Sequence, residues 1–141
     1  MSFGTAVKIC LSKFVTVSGR ASRSEFWWFF LFYNLVSLAG FIIVIVTLDE
    51  NGEGGTVWPF FVAMLILLPP MLAVTARRLH DKGITAWAVL ISFVPFGSFA
   101  LLILCALAGD EEENIYGPPP IRDGDTVVYT KSNIPNVRDN D

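Results

Sequence analysis

The sequence predicts an all-α membrane protein: an N-terminal amphipathic interfacial helix, three transmembrane helices and an irregular polar C-terminal tail. Three observations carry this. Of the 141 residues, 53% are hydrophobic and only 16% are charged, against about 25% charge in an ordinary soluble domain. Three apolar runs, at 26–48, 57–76 and 86–108, contain no charged residue. Seven of the 10 Lys and Arg residues sit in two short segments that abut those runs: Lys8, Lys13, Arg20 and Arg23 before the first, and Arg77, Arg78 and Lys82 after the second.

Residues 1–18 form the first element. Phe3, Val7, Cys10, Leu11 and Phe14 recur at spacings of three or four, which is the pattern of a one-sided helix. With lysines beside its apolar stripe, such a helix is expected to lie in the lipid headgroup region; the alternative is an ordinary helix packed on a partner or on its own bundle. Gly19 ends it. Ser22 and Glu25 then have the spacing of a capping box, in which the hydroxyl and the carboxylate satisfy each other's backbone amides. Glu25 is therefore read as a helix cap rather than a catalytic acid.

The membrane domain is expected over 19–109. At 1.5 Å per residue, the run 26–48 extends about 35 Å, enough to cross a hydrocarbon layer of about 30 Å. Trp27, Trp28 and Tyr33 crowd its start, as an interfacial aromatic belt does. It runs on too far for a cleavable signal peptide. Asn34, inside the run, is expected to bond a neighbouring helix or its own backbone. In the second run Pro59 suits a first-turn position, and Pro69–Pro70 predict a kink.

The third run has Pro95-Phe96-Gly97 near its middle. Either it is one kinked span, or two half-length helices form a re-entrant hairpin. Re-entrant backbone must be shielded by protein, and so small a bundle offers little shielding. A full span is therefore expected. Residues 110–141 read as a polar, acidic, extended tail, with a triproline at 118–120 and a short strand at 126–130 only where a partner edge is supplied.

Lys and Arg in short loops stay in the cytoplasm. The N-terminal segment and the 77–85 loop are thus placed inside, the acidic 49–55 turn outside, and the tail, after a third crossing, in the periplasm.

The sequence offers little to chemistry. Cys10 and Cys105 form no disulfide framework and no metal spacing. His80 is the only histidine. No glycine-rich phosphate loop is present, and no Asp, Glu, His, Lys or Arg lies within a run, so a proton relay or ion path lacks its usual mark. No cofactor, metal, catalytic activity or nucleic-acid partner is expected. The one rich constellation is Arg20, Arg23, Glu25, Arg77, Arg78, His80, Asp81 and Lys82. The plainer reading is anchoring to anionic headgroups, at about 1 kcal/mol per basic residue. The sharper one is an ion-paired knot in which Glu25 and Asp81 each find arginines, with Arg77 and Asp81 as an i,i+4 pair.

The order of these pieces carries a resemblance. Gly19-Arg20-Ala21-Ser22-Arg23-Ser24-Glu25-Phe26-Trp27-Trp28 precedes the first run. Arg77-Arg78-Leu79-His80-Asp81-Lys82-Gly83 follows the second, with Trp87 beyond it. Pro95-Phe96-Gly97 lies in the third, and Gly109 with Asn114-Ile115-Tyr116-Gly117-Pro118 closes it. Over about residues 14–120 this resembles the bacterial inner-membrane family called Domain of Unknown Function 805, the YhaH-like proteins. Thr85-Ala86-Trp87 stands where the family pattern is usually Ser-Gly-Trp. The resemblance implies a small multi-pass inner-membrane protein without an established activity. It adds Asn114 and Tyr116 to the positions of interest.

The functional expectation is an accessory, assembly or scaffold subunit that packs against another membrane protein or copies of itself. One alternative is an oligomeric small-solute transporter or channel subunit, with Pro69, Pro70, Pro95, Gly97 and Asn34 lining a path. Another is a stress-response or signalling component whose charged cluster is a docking surface.

Overall fold

In a computed structural model, residues 1–48 and 57–120 are described, together with the backbone of 122–123 and 126–127. The expected acidic turn at 49–55 and the tail beyond 127 lie outside the described residues.

Helix α1 (Phe3–Ser12) starts at Ser2, whose hydroxyl accepts from the Thr5 amide at 3.4 Å. Its apolar stripe is turned onto the next helix. The Phe3 ring meets Trp28 and Phe32, at centroid distances of 5.8 and 6.3 Å. Seven residues later, the Cys10 thiol reaches Glu25. As α1 advances its partners recede, so it runs antiparallel to the start of α2 (Arg23–Thr47). The bundle covers only part of the stripe: Cys10 is buried, while Phe3, Leu11 and Phe14 remain exposed.

Ser22 caps α2, accepting from the Glu25 amide at 3.2 Å. Helix α3 (Trp58–His80) has Pro59 in its first turn and three basic residues, Arg77, Arg78 and His80, in its last, where they complement the helix dipole. It is one uninterrupted helix through Pro69 and Pro70. Those prolines leave the carbonyls of Leu65 and Ile66 without their usual donors. Helices α2 and α3 are long and apolar enough to cross a membrane.

The third run is not one spanning helix. It forms a 3₁₀ helix (Ala86–Phe93), a break, and α4 (Gly97–Ala106). At the break Phe96 adopts φ of 62°, a left-handed conformation that a bulky residue rarely takes. The chain folds back so tightly that a Cβ on Gly97 would lie 1.7 Å from the Ile91 carbonyl oxygen. Both ends of this hairpin meet at the C-terminus of α3. Lys82 donates to the Ala108 carbonyl at 2.7 Å, and the Asp110 amide donates to the Asp81 carbonyl at 2.8 Å. The two limbs, of eight and 10 residues, each extend only about 15 Å, half a hydrocarbon layer. The third run is thus a hairpin of two short helices and not the single kinked helix expected. The start of the tail is brought back to the 77–85 loop, rather than lying at the far end of the bundle.

The core sits at that same end. Phe26 and Phe29 from α2, Val74 from α3, Cys10 from α1 and Cys105 from α4 form one buried cluster. Beyond the core, the outer halves of α2 and α3 expose apolar side chains such as Phe41, Val46, Phe61 and Leu65. Past the bundle, a two-residue antiparallel ladder pairs Arg122–Asp123 with Thr126–Val127.

Candidate functional site

The charged signatures converge on the junction of α2, α3 and the hairpin. Arg20, Glu25, Arg77, Arg78 and Asp81 are all buried, the last four completely. Two carboxylates organise them. Asp81, at the end of α3, takes Arg20 through Oδ1 at 2.8 Å and Arg78 through Oδ2. Glu25, in the first turn of α2, takes Arg77 at 2.5 Å. The pairing thus differs from the expected i,i+4 contact: Asp81 binds Arg78, three residues back, while Arg77 turns to α2. A helical step of 100° per residue sends adjacent arginines to different neighbours. Ser22 supplies the hydroxyl half of the expected capping box, and the Glu25 carboxylate also engages Arg77.

Arg20 and Arg78 also meet backbone carbonyls. Arg78 Nε donates to Cys105 O at 3.0 Å, and its Nη2 donates to Leu107 O. These carbonyls belong to the C-terminal end of α4, where orphan acceptors and the negative dipole end await donors. Arg20 reaches into the tail and donates to the carbonyls of Asp110, Glu112 (2.7 Å) and Gly117 (3.3 Å). The approach is close enough that a Cβ on Gly109 would lie 1.8 Å from Asp81 Oδ2. Arg77 is the exception, since its Nε and Nη2 have no acceptor among the described residues. Three buried guanidinium groups face two buried carboxylates, and the carbonyls around Arg20 and Arg78 compensate the excess.

His80 and the tail form a second layer. His80 Nδ1 lies 3.2 Å from Gly19 O. A carbonyl only accepts, so this nitrogen carries the proton. The imidazole stacks on Tyr116, with centroids 3.8 Å apart and planes 3° from parallel. Asn114 donates to His80 O at 2.9 Å, and its own Oδ1 accepts from the Tyr116 amide at 3.0 Å. Asn114 and Tyr116 thus clasp the tail to the end of α3. The residues between and before them, Glu111, Glu112, Glu113 and Ile115, face outward, with Ile115 88% exposed.

Some sequence candidates stand apart. Arg23 is exposed and outside the buried cluster. Of the residues expected to line a path, Pro95 is exposed, Pro69 is half-buried, Pro70 and Gly97 are buried, and Asn34 lies on the outer surface of α2, donating to Phe30 O at 2.8 Å. Residues that sequence reasoning missed are Cys10 and Gly109. The Cys10 thiol is fully buried, 3.7 Å from Glu25 Oε1. Burial, reinforced by the Glu25 charge, pushes its pKa up to about 12, so it is neutral and unreactive at ordinary pH. Among the described residues, no group of three His, Cys, Asp or Glu is placed to hold a metal ion.

Two helices long and apolar enough to cross a membrane are tied to each other by arginine–carboxylate pairs and to the hairpin by arginine–carbonyl bonds, an arrangement that fits an α-helical membrane protein. The chain belongs to the family described as protein of unknown function (DUF805), whose model matches residues 14–118. It is 35% identical over 118 residues to inner membrane protein YhaH of Escherichia coli K12, covering 78% of this chain and 91% of the relative. It is 40% identical over 115 residues to inner membrane protein YhaI of the same strain, covering 78% and 90%. No solved structure matches.

Proposed function

We propose that this protein is a non-catalytic accessory or assembly subunit of an inner-membrane complex, and that its docking surface is the clasped tail at the charged end of the bundle. One observation carries the reading. Apart from exposed Arg23, the arginines and carboxylates of both signatures are consumed internally, with side-chain exposure of 1% or less in all three ion pairs. Groups without access to solvent cannot meet a substrate, but they can fix a surface. The surface they fix presents Ile115 on an acidic rim of Glu111 to Glu113, suited to an apolar pocket bordered by basic residues.

In this reading α2 and α3 cross the bilayer, the hairpin enters and leaves on the cytoplasmic side, and the N-terminal segment and tail are both cytoplasmic. The retention of Lys and Arg in the cytoplasm supports that orientation. Exposed Lys8 and Arg23 are left to meet anionic headgroups.

Purification of the full chain in mild detergent tests the proposal. A membrane protein should co-elute in fixed ratio with the wild type and be lost with Ile115→Glu, while the melting temperature stays unchanged. A wild-type protein that elutes with no other protein, at every detergent level that preserves its fold, contradicts the proposal.

A further inference from the structure

Asn34 poses an unsolved problem on the surface of α2. It lies eight residues past Phe26, about 12 Å into the apolar run and within the hydrocarbon layer. Its side chain is exposed, and one N–H donates to Phe30 O. Its Oδ1 and second N–H have no partner among the described residues, and lipid tails can supply none.

The residues around it form a pattern. Trp27, Leu31, Asn34, Leu38, Phe41 and Ile45 follow one another at steps of 4, 3, 4, 3 and 4, and all six are exposed. That is an unoccupied heptad seam, with Trp27, Asn34 and Phe41 at one core position and Leu31, Leu38 and Ile45 at the other. A single asparagine in such a seam sets register and favours a two-stranded pairing. The seam faces away from α3, which packs on the side of Phe29 and Gly40.

We infer that α2 pairs with α2 of a second copy of this chain, in parallel, through a seam centred on a reciprocal Asn34–Asn34 hydrogen bond. Two features select the second copy over another protein. Copies inserted in the same orientation present their α2 helices parallel, which brings like positions together across a twofold axis. A carboxamide is also its own complement: the free N–H of each Asn34 donates to the Oδ1 of the other, leaving both Phe30 bonds intact. The inference rests on the membrane reading of α2 but not on the accessory role, so a lone homodimer would support it while contradicting the proposed function.

The test is oxidative cross-linking of the full chain in native membranes, with single cysteines introduced along α2. Cys10 and Cys105 are buried, so the parent gives the background. Leu31→Cys and Leu38→Cys should form disulfide dimers, whereas Ile43→Cys and Val46→Cys should not. Adding Asn34→Leu to Leu38→Cys should weaken the dimer about three- to twentyfold, the range of one interhelical hydrogen bond in a membrane, and Asn34→Gln should restore most of it. Equal cross-linking around the helix, cross-linking to a different protein, or a Leu38→Cys dimer indifferent to Asn34→Leu would each overturn the inference.

Discussion

Arg20 and Asp81 lie 61 residues apart in sequence and meet at 2.8 Å with both side chains buried. This pair ties the segment before α2 to the end of α3, and Arg20 reaches past it to hold the tail. Removing one member strands the others in a low-dielectric site, which typically costs about 3–5 kcal/mol. Asp81→Asn should therefore lower thermal stability by about that amount. A double-mutant cycle between Arg20 and Asp81 should show coupling above about 1 kcal/mol. Arg23→Ala, three residues away and exposed, should stay within about 0.5 kcal/mol of wild type.

Glu25 and Arg77 form the second pair, with Cys10 beside them. Glu25→Gln should destabilise by about 3 kcal/mol or more, because Arg77 already has two nitrogens without acceptors and would lose its one carboxylate. Thermal melts in detergent would show this. Equal melting of the variant and the wild type would mean that Arg77 finds another acceptor.

The Cys10 thiol has a pKa raised from 9.0 to about 12, chiefly by burial. An acid whose folded pKa is raised favours folding while it is protonated. Its contribution is therefore complete below about pH 9 and is lost as pH climbs from there towards about 12. Wild-type stability should decline over that window more steeply than that of Cys10→Ala. At pH 7.5 a maleimide should leave Cys10 unlabelled until the protein is denatured.

Tyr116 contributes its ring, since its hydroxyl makes no hydrogen bond among the described residues. Tyr116→Phe should be neutral and Tyr116→Ala should cost about 1 kcal/mol, in line with a stacked aromatic pair. The tail beyond Gly109 should become more susceptible to protease in the alanine variant alone.

Gly109→Ala should destabilise by about 1–3 kcal/mol, the cost of overpacking, because its Cβ would overlap the Asp81 carboxylate. Gly4→Ala, where nothing lies within 4 Å, is the matched control in a melting experiment.

The helices and the charged cluster were legible because both leave strong local signals. Charge-free runs marked α2 and α3, a three-four repeat marked α1, and Ser22 with Glu25 marked the helix start. The acids Glu25 and Asp81 among the arginines pointed to ion pairing. Which arginine met which acid was not legible: Arg20 rather than Arg23 reaches Asp81 because the chain leaves Gly19 at φ of 86°, a feature of tertiary path. The hairpin was hidden because 23 apolar residues satisfy the length of a span equally well. Its mark is the left-handed Phe96 between Pro95 and Gly97, and composition does not reveal backbone handedness. At the hairpin's tip the backbone satisfies itself, with the Val94 amide donating to Ile91 O at 3.0 Å and the Gly97 amide to Val94 O at 2.8 Å, while Arg78 and Lys82 occupy carbonyls at its base. For α1 the stripe was legible but not which part of it is covered: Cys10 is buried against α2, while Leu11 and Phe14 stay exposed.

The hairpin returns the tail to the end of the bundle that holds the charged cluster. Side-specific labelling of single introduced cysteines in intact cells and inverted membranes tests whether that end is one face of the membrane. Glu113→Cys and Gly83→Cys should both label only from the cytoplasmic side with a membrane-impermeant maleimide, and Val57→Cys only from the periplasmic side. Periplasmic labelling at Glu113→Cys, with Gly83→Cys still cytoplasmic, would contradict the account and restore a third crossing.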